Sequence, residues 1–213
     1  MNRAELEKHL FWGKRSPLTT LTGVGILIIA SGRTAYALVT LGALVWVYTL
    51  TALIFCFTKS FFPVKGKELV VISLSSVLAG IYLLFVSLLS PLLALETSLY
   101  IILTPMYCFS MKLFPRLEHH KTEDVAIIAV LESLIFGVFL LALSLIREPL
   151  GYGSLSLPGG GSEGIIKFFT IEDDSVFPLR IFTSSAGALI LLGYGVAFFN
   201  YIRDKKAREE DES

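Results

Sequence analysis

Two carboxylates stand inside long apolar runs of the sequence, where a charged side chain is costly. Glu132 lies two helical turns into the run 124–146, about 12 Å from Asp124 at the helical rise of about 1.5 Å per residue. Glu96 follows Pro91 by little more than one turn, so its side chain can reach the polar edge of a membrane. Carboxylates at membrane depth commonly handle ions or protons, so both are pathway candidates, and Glu132, the deeper one, is the better candidate.

A cation and an anion stand side by side in the stretch IREPLGYG, where Arg147 and Glu148 precede a proline and two glycines, Gly151 and Gly153. Proline and glycine favour the end of a helix at this point. The simplest interpretation places both charges at the membrane surface, with their long side chains reaching the polar layer. We expect the motif to shape the outer mouth of a helix bundle and to perform no chemistry of its own.

The remaining residues that could ligate a metal are few. Cys56 and Cys108 both lie within apolar segments, which argues against a disulfide framework. His119 and His120 have glutamates nearby, but adjacent histidines point in different directions on most backbones. Their charged surroundings are typical of a solvated loop.

The composition places these residues in a polytopic membrane protein. Of the 213 residues, 54% are hydrophobic and only 17% are charged, whereas about a quarter of the residues of a soluble domain are charged. The expected surroundings are therefore a lipid bilayer. The formal net charge is zero, so nucleic acid is not expected as a partner.

Six segments are predicted to enter the membrane, because a spanning helix needs roughly 20 mostly apolar residues. Five of them are long enough: 34–57, 69–89, 92–114, 124–146 and 179–202. The segment 18–31 is short and carries Gly23 and Gly25, which predicts a broken or partly inserted helix. The chain then divides into an amphipathic N-terminus, a six-helix membrane domain and a charged tail, at 1–17, 18–202 and 203–213.

Lysine and arginine are distributed unevenly among the loops, which sets the expected orientation. With a cytoplasmic N-terminus, fourteen of them lie in inside segments and four lie outside, namely Arg33, Arg147, Lys167 and Arg180. Both termini are therefore expected in the cytoplasm, and the protein in the inner membrane of a bacterium. The long loop 151–178 is then external, and its apolar stretch GIIKFFTI is suited to lie along the membrane interface.

The first three segments are similar in kind to the last three, because each set begins with an interrupted helix and continues with two regular ones. The interruptions fall at 22–25 and at 103–108, the second around Pro105 and Met106. Since each half crosses the membrane an odd number of times, the second half is inverted. The predicted fold is therefore an all-α integral membrane protein with six transmembrane helices in two inverted three-helix repeats, a pattern typical of pathways for ions or small solutes.

The stretch IREPLGYGSLSL resembles the R-E-x-L-G-x-G-[ST]-L motif of the Rnf/Nqr family of integral membrane subunits. The stretch SSAGALILLGYGVAFFNYIRDKK, at 184–206, is similar to the final helix of that family, and RSPLTTLTGVGILIIAS, at 15–31, resembles a weakened form of its first helix. The motif and the expected cytoplasmic termini fit the RnfE/NqrD branch better than the oppositely oriented RnfA/NqrE branch.

The resemblance implies a subunit of an ion-translocating electron-transport complex, which would be non-catalytic alone. In such complexes two six-helix subunits of opposite orientation pair in the membrane. They share a [2Fe–2S] cluster, held by one cysteine from each interrupted helix, and electron transfer through it is coupled to Na⁺ or H⁺ movement. The implied partners are RnfA/NqrE-like and RnfD/NqrB-like membrane subunits.

This chain departs from the family at the positions of the cluster ligands. The first cysteine position falls on Gly25 and the second on Met106, while Cys108, two residues further on, offers one thiolate. We therefore expect no cofactor in this chain, with Ile26, Met106 and Tyr107 filling the space, unless the family role persists and a [2Fe–2S] cluster is shared with a partner. A divergent paralogue without electron transfer, which transports ions or small solutes or serves as a structural subunit, stays open as the alternative.

The orientation can be tested with a reporter enzyme that is active only outside the cytoplasm. Fused to the C-terminus, it is expected to be silent, because the basic residues keep the tail inside. The same reporter inserted into the loop 151–178 is expected to be active and serves as the control. Activity at the C-terminus would contradict the predicted orientation.

Overall fold

The computed structural model of the chain describes residues 21–58, 67–110, 122–160, 164–170 and 180–195, together with 197 and 201. Within these residues, each of the six segments predicted from the sequence contains a helix. The predicted N-terminus, the charged tail and the histidine pair lie outside the described residues.

The described elements are six helices, a two-stranded hairpin and one 3₁₀ turn. The helices are α1 (Leu21–Ala30), α2 (Thr34–Thr58), α3 (Lys67–Leu89), α4 (Pro91–Ser110), α5 (Thr122–Tyr152) and α6 (Ser185–Gly195). The antiparallel strands are β1 (Ser154–Pro158) and β2 (Ile165–Thr170), and the 3₁₀ turn covers Arg180–Thr183.

Four of the helices, α2 to α5, are long and apolar enough to cross a membrane, which supports the prediction of a membrane protein. The ten described residues of helix α1 cover about 15 Å, about half the thickness of a hydrocarbon core. Helix α6 is also shorter than a span over its described length. Six spans in two inverted repeats therefore stay a prediction.

Helix α2 occupies the centre of the bundle and packs against α3, α4 and α5. Its buried positions include the small residues Ala35, Ala37, Ala43 and Ala52, which let neighbouring backbones approach closely. The hydroxyl of Tyr82 on α3 donates a hydrogen bond to the carbonyl of Val39 on α2 (3.1 Å). Ser90 alone joins α3 to α4, and its hydroxyl caps α4 by accepting from the N–H of Leu93 (3.4 Å).

The structure differs from the prediction that helices one and four are interrupted. Helix α1 continues through Gly23 and Gly25, and α4 continues through Pro105. Proline has no N–H to donate to the carbonyl four residues earlier, that of Ile101, but Thr104 Oγ1 donates to this carbonyl at 2.7 Å. The carbonyl is thus satisfied inside the bundle, which allows the helix to continue.

The predicted external loop begins later than expected, because α5 runs through Pro149 to Tyr152. Gly153 ends the helix with a φ of 60°, a left-handed conformation, and its N–H donates to the carbonyl of Pro149 (3.0 Å). The stretch that was expected along the membrane interface forms β2 and pairs with β1.

The contact between α2 and α5 depends on Gly137. A Cβ atom at this position would lie 2.6 Å from Leu41 Cγ, whereas a Cβ at Gly80 on α3 would meet nothing within 4 Å. We expect Gly137→Ala to lower the melting temperature of the detergent-solubilised protein, since overpacking costs about 1–3 kcal/mol. The matched control Gly80→Ala should leave it unchanged or raise it, because alanine favours helix. Equal losses in the two variants would contradict the close packing.

Candidate functional site

Buried charged residues occur at two levels of the bundle within the described residues. The first level is the end where α5 and α1 finish and α2 starts, and it holds Arg147 and Glu148. The second level is nearer the start of α5 and holds Glu132. About 24 Å of helix separates Glu132 from Glu148, at about 1.5 Å per residue.

Glu148 is buried at the start of α2, where only 1% of its surface is exposed. Its Oε2 accepts from the backbone N–H of Thr34 (2.7 Å) and from the Thr34 hydroxyl. Thr34 is the first residue of α2, and the first N–H groups of a helix have no partner within it and carry partial positive charge. The carboxylate therefore caps α2 from another helix.

Arg147 is buried at the end of α1, with 3% of its surface exposed. Its guanidinium has five N–H groups, and all five donate hydrogen bonds within the protein. The acceptors are the carbonyls of Ile28 (2.6 Å), Phe182 (2.7 Å), Thr183 (3.0 Å) and Ser184 (3.1 Å) and the hydroxyl of Ser31 (2.9 Å). The cation thus joins the last turn of α1, which carries partial negative charge, to the turn that precedes α6.

Residues 31–33 connect α1 to α2, and we call them the α1–α2 turn. The cation of the motif binds on the α1 side of this turn, and the adjacent anion binds on the α2 side. Successive side chains on a helix point about 100° apart, so Arg147 reaches the end of α1 while Glu148 reaches the start of α2. The interpretation that both charges reach the polar layer of the membrane is wrong, because both are buried. Gly151 lets α5 approach the 3₁₀ turn, since a Cβ there would lie 3.1 Å from Thr183.

Glu132 lies inside the bundle, with 4% of its surface exposed, where three of the helices of spanning length meet. Tyr48 on α2 donates its hydroxyl hydrogen to Glu132 Oε2 (2.6 Å). The ring of Tyr107 on α4 lies 5.9 Å from that of Tyr48 and 4.7 Å from that of Phe136 on α5. Glu132 thus faces the interior and not lipid, as its cost in hydrocarbon predicts. The sequence did not single out Tyr48, because one hydroxyl in an apolar run does not show which carboxylate it will meet.

Glu96 lies in a different environment: it is exposed, in the second turn of α4. It accepts from the hydroxyl of Tyr36 (3.1 Å), whose ring lies 5.6 Å from that of Tyr100. The guanidinium of Arg33 lies over the rings of Tyr36 (5.9 Å) and Tyr152 (5.2 Å). We call Tyr36, Tyr100 and Tyr152 the tyrosine group; it gathers at the same end of the bundle as the α1–α2 turn.

The two positions that correspond to cluster ligands in the family carry no thiolate in this chain. Met106 is 59% exposed and points away from the interior, so the expectation that it fills the interior is wrong. The cause is the unbroken α4, which places Met106 on its outward face, whereas Ile26, Tyr107 and Cys108 are buried. In the part of the chain that the structure describes, no group of three or more His, Cys, Asp or Glu side chains could hold a metal ion.

Neither family models nor curated proteins match this chain. The likeness to the Rnf/Nqr family therefore depends on the quoted motifs. The R-E dipeptide forms a structural clamp that holds the end of α1 and the start of α2, and Glu132 is the buried carboxylate at the deeper level of the bundle.

The clamp predicts that arginine at position 147 cannot be replaced by another cation. Lysine has three N–H donors where arginine has five, so Arg147→Lys leaves acceptors unsatisfied at about 1–3 kcal/mol each. We expect a clear loss of thermal stability in detergent and increased proteolysis near the α1–α2 turn. The matched control Arg33→Lys, which keeps a cation beside the tyrosine rings, should change stability by at most about 0.5 kcal/mol. Similar effects of the two variants would contradict the clamp.

Proposed function

We propose that this chain is a membrane subunit of an ion-translocating electron-transport complex of the Rnf/Nqr type, RnfE/NqrD-like, and that it contributes a pathway for a cation or proton through Glu132. In this proposal it lies in a bacterial inner membrane with both termini cytoplasmic. The observation that carries the proposal is the buried Tyr48–Glu132 pair, placed where α2, α4 and α5 meet.

The energetic argument starts from the cost of the carboxylate. Removing a charged group from water costs several kcal/mol, and apolar side chains of similar volume often pack as well or better at such a position. A carboxylate inside a bundle of apolar helices is therefore a functional candidate by default. Glu132 Oε2 accepts from Tyr48, and this hydrogen bond orients a carboxylate whose chemistry is suited to binding a proton or a cation.

A standard four-cysteine cluster does not fit the residues at the family positions. Gly25 has no side chain, and Met106 is a neutral thioether that points outward. Cys108 is buried and can supply one thiolate at most. The proposed contribution of this chain is therefore ion movement, and any shared [2Fe–2S] cluster would need further ligands from an RnfA/NqrE-like partner.

A second candidate function is favoured by the outward orientation of Met106. A chain that cannot complete the cluster is compatible with a paralogue that carries ions or small solutes, or that serves as a structural subunit, without electron transfer. Purification from native membranes separates the two proposals. Co-purification with flavin-carrying and RnfD/NqrB-like subunits supports the first, and isolation without redox partners supports the second.

The ion pathway is tested by the isosteric change Glu132→Gln. It removes the ionisable group and keeps an oxygen that can accept from Tyr48, so the protein should still accumulate in the membrane. We expect ion-coupled activity in reconstituted vesicles to fall to a small fraction. The matched control is Glu96→Gln. Glu96 also accepts from a tyrosine hydroxyl, but it is exposed, so this variant should keep most of the activity. Full activity of Glu132→Gln would show that Glu132 is only structural.

The absence of a conventional cluster is tested on the purified protein, alone and with its membrane partner. We expect iron and acid-labile sulfide well below one cluster per chain, and no [2Fe–2S] signal in electron paramagnetic resonance after reduction. Cys108→Ser should then change nothing. A stoichiometric signal that disappears in Cys108→Ser would restore the ordinary role of the family.

A further inference from the structure

Strand β2 presents apolar side chains on both of its faces. Successive residues of a strand point to opposite faces, so Phe168, 75% exposed, and the exposed Phe169 cover one face each. Ile166 is exposed as well, and β1 is the one strand that pairs with β2 among the described residues. An exposed apolar edge strand of this kind promotes aggregation in water. We therefore expect another apolar surface to cover β2.

The hairpin is fixed to the first turns of two spanning helices. The N–H of Ala35, the second residue of α2, donates to Ser156 Oγ on β1 (3.4 Å). Gly164, which immediately precedes β2, adopts a φ of 65° and lies so close to Leu92 that a Cβ atom would be 2.9 Å from Leu92 Cδ2. Leu92 belongs to the first turn of α4. The hairpin therefore sits at the depth where these spans begin.

The surface beside the hairpin has the pattern of a lipid-facing surface. Large apolar residues on α4 are exposed at alternating spacings of three and four, which is one face of a helix: Leu92, Leu95, Leu99, Ile102 and Met106. Leu88 and Leu89, in the last turn of α3, are exposed next to the start of this stripe. Strand β2 thus adjoins, through Gly164 and Leu92, an apolar surface on helices that are long and apolar enough to span a membrane.

The tyrosine group gives an independent marker of depth. Tyr152 ends α5 just before β1, and Tyr36 is the third residue of α2, with its ring 5.6 Å from that of Tyr100 on α4. Tyrosine and tryptophan collect at the level of the lipid headgroups, where the ring is buried and the hydroxyl is wet. The hairpin is attached at this level.

We propose that the β1–β2 hairpin is a membrane anchor that lies in the interfacial layer of the bilayer. Its ligand is phospholipid: Phe168 and Phe169 enter the boundary between headgroups and acyl chains, and the exposed ammonium of Lys167 lies at the level of the phosphates. The proposal depends on the chain spanning a membrane and not on the ion pathway. A protein strand added to the edge of β2 is the competing occupant, and the experiment excludes or reveals it.

The experiment measures depth by tryptophan fluorescence in the full-length protein, reconstituted in phosphatidylcholine–phosphatidylglycerol vesicles. The chain has two tryptophans, so Trp12→Phe leaves Trp46, exposed in the middle of α2, as the deep reference. Adding Trp46→Phe and either Phe168→Trp or Phe169→Trp places a single reporter on one face of the hairpin or the other. Lipids brominated near the headgroup end of the acyl chain are compared with lipids brominated near its middle.

We expect the hairpin reporters to be quenched more strongly by the shallow bromines and Trp46 by the deep ones, with weak quenching of all three by aqueous iodide. Lys167→Glu in the Phe168→Trp background should reduce quenching in vesicles rich in phosphatidylglycerol and not in pure phosphatidylcholine. Quenching of the hairpin by iodide and not by bromolipid would place it in water and overturn the proposal. Shielding of the hairpin from both quenchers would show a protein partner on β2 and would also overturn the proposal. The proposal would equally be overturned if the deep bromines did not quench Trp46.

Discussion

The ends of helices within a bundle carry unpaired backbone groups, and where water is excluded the protein itself must satisfy them. Around the α1–α2 turn this constraint is met by two adjacent residues of α5, with the cation on the carbonyl end of α1 and the anion on the N–H end of α2. The last turn of α1 thereby receives a donor that its own backbone does not provide. The same guanidinium holds the turn before α6, and one side chain therefore fixes where three elements meet.

Part of this structure follows from local sequence rules. Apolar runs of sufficient length predict α2 to α5, and the cost of a carboxylate in hydrocarbon predicts the burial of Glu132. The rules fail where another side chain supplies a hydrogen bond that the local sequence does not reveal. Thr104 satisfies the carbonyl that Pro105 leaves without a donor, and Arg147 is buried because acceptors 35 to 119 residues away in the chain satisfy it. Neither the partner of Glu132 nor the hairpin could be derived from periodicity.

The two glutamates illustrate how position decides what one chemical pair can do. Glu132 and Glu96 each accept from a tyrosine hydroxyl, Tyr48 or Tyr36, at comparable distances of 2.6 and 3.1 Å. The first pair is buried among three helices, where electrostatic interactions are stronger than in water. The second is exposed, where water and salt screen it. The same two side-chain types therefore give a candidate site for ion chemistry in one place and an ordinary surface contact in the other.

The clamp also has a consequence for the order of events during synthesis. Glu148 follows Thr34 by 114 residues, so a ribosome that adds about 5–20 residues per second makes the acceptor roughly 6–23 s after the donor. During this interval the nascent α1–α2 turn has neither its carboxylate nor its guanidinium. The ends of α1 and α2 at this turn therefore complete their hydrogen bonds only after α5 has been made. The final packing of the N-terminal half thus depends on a helix from the C-terminal half.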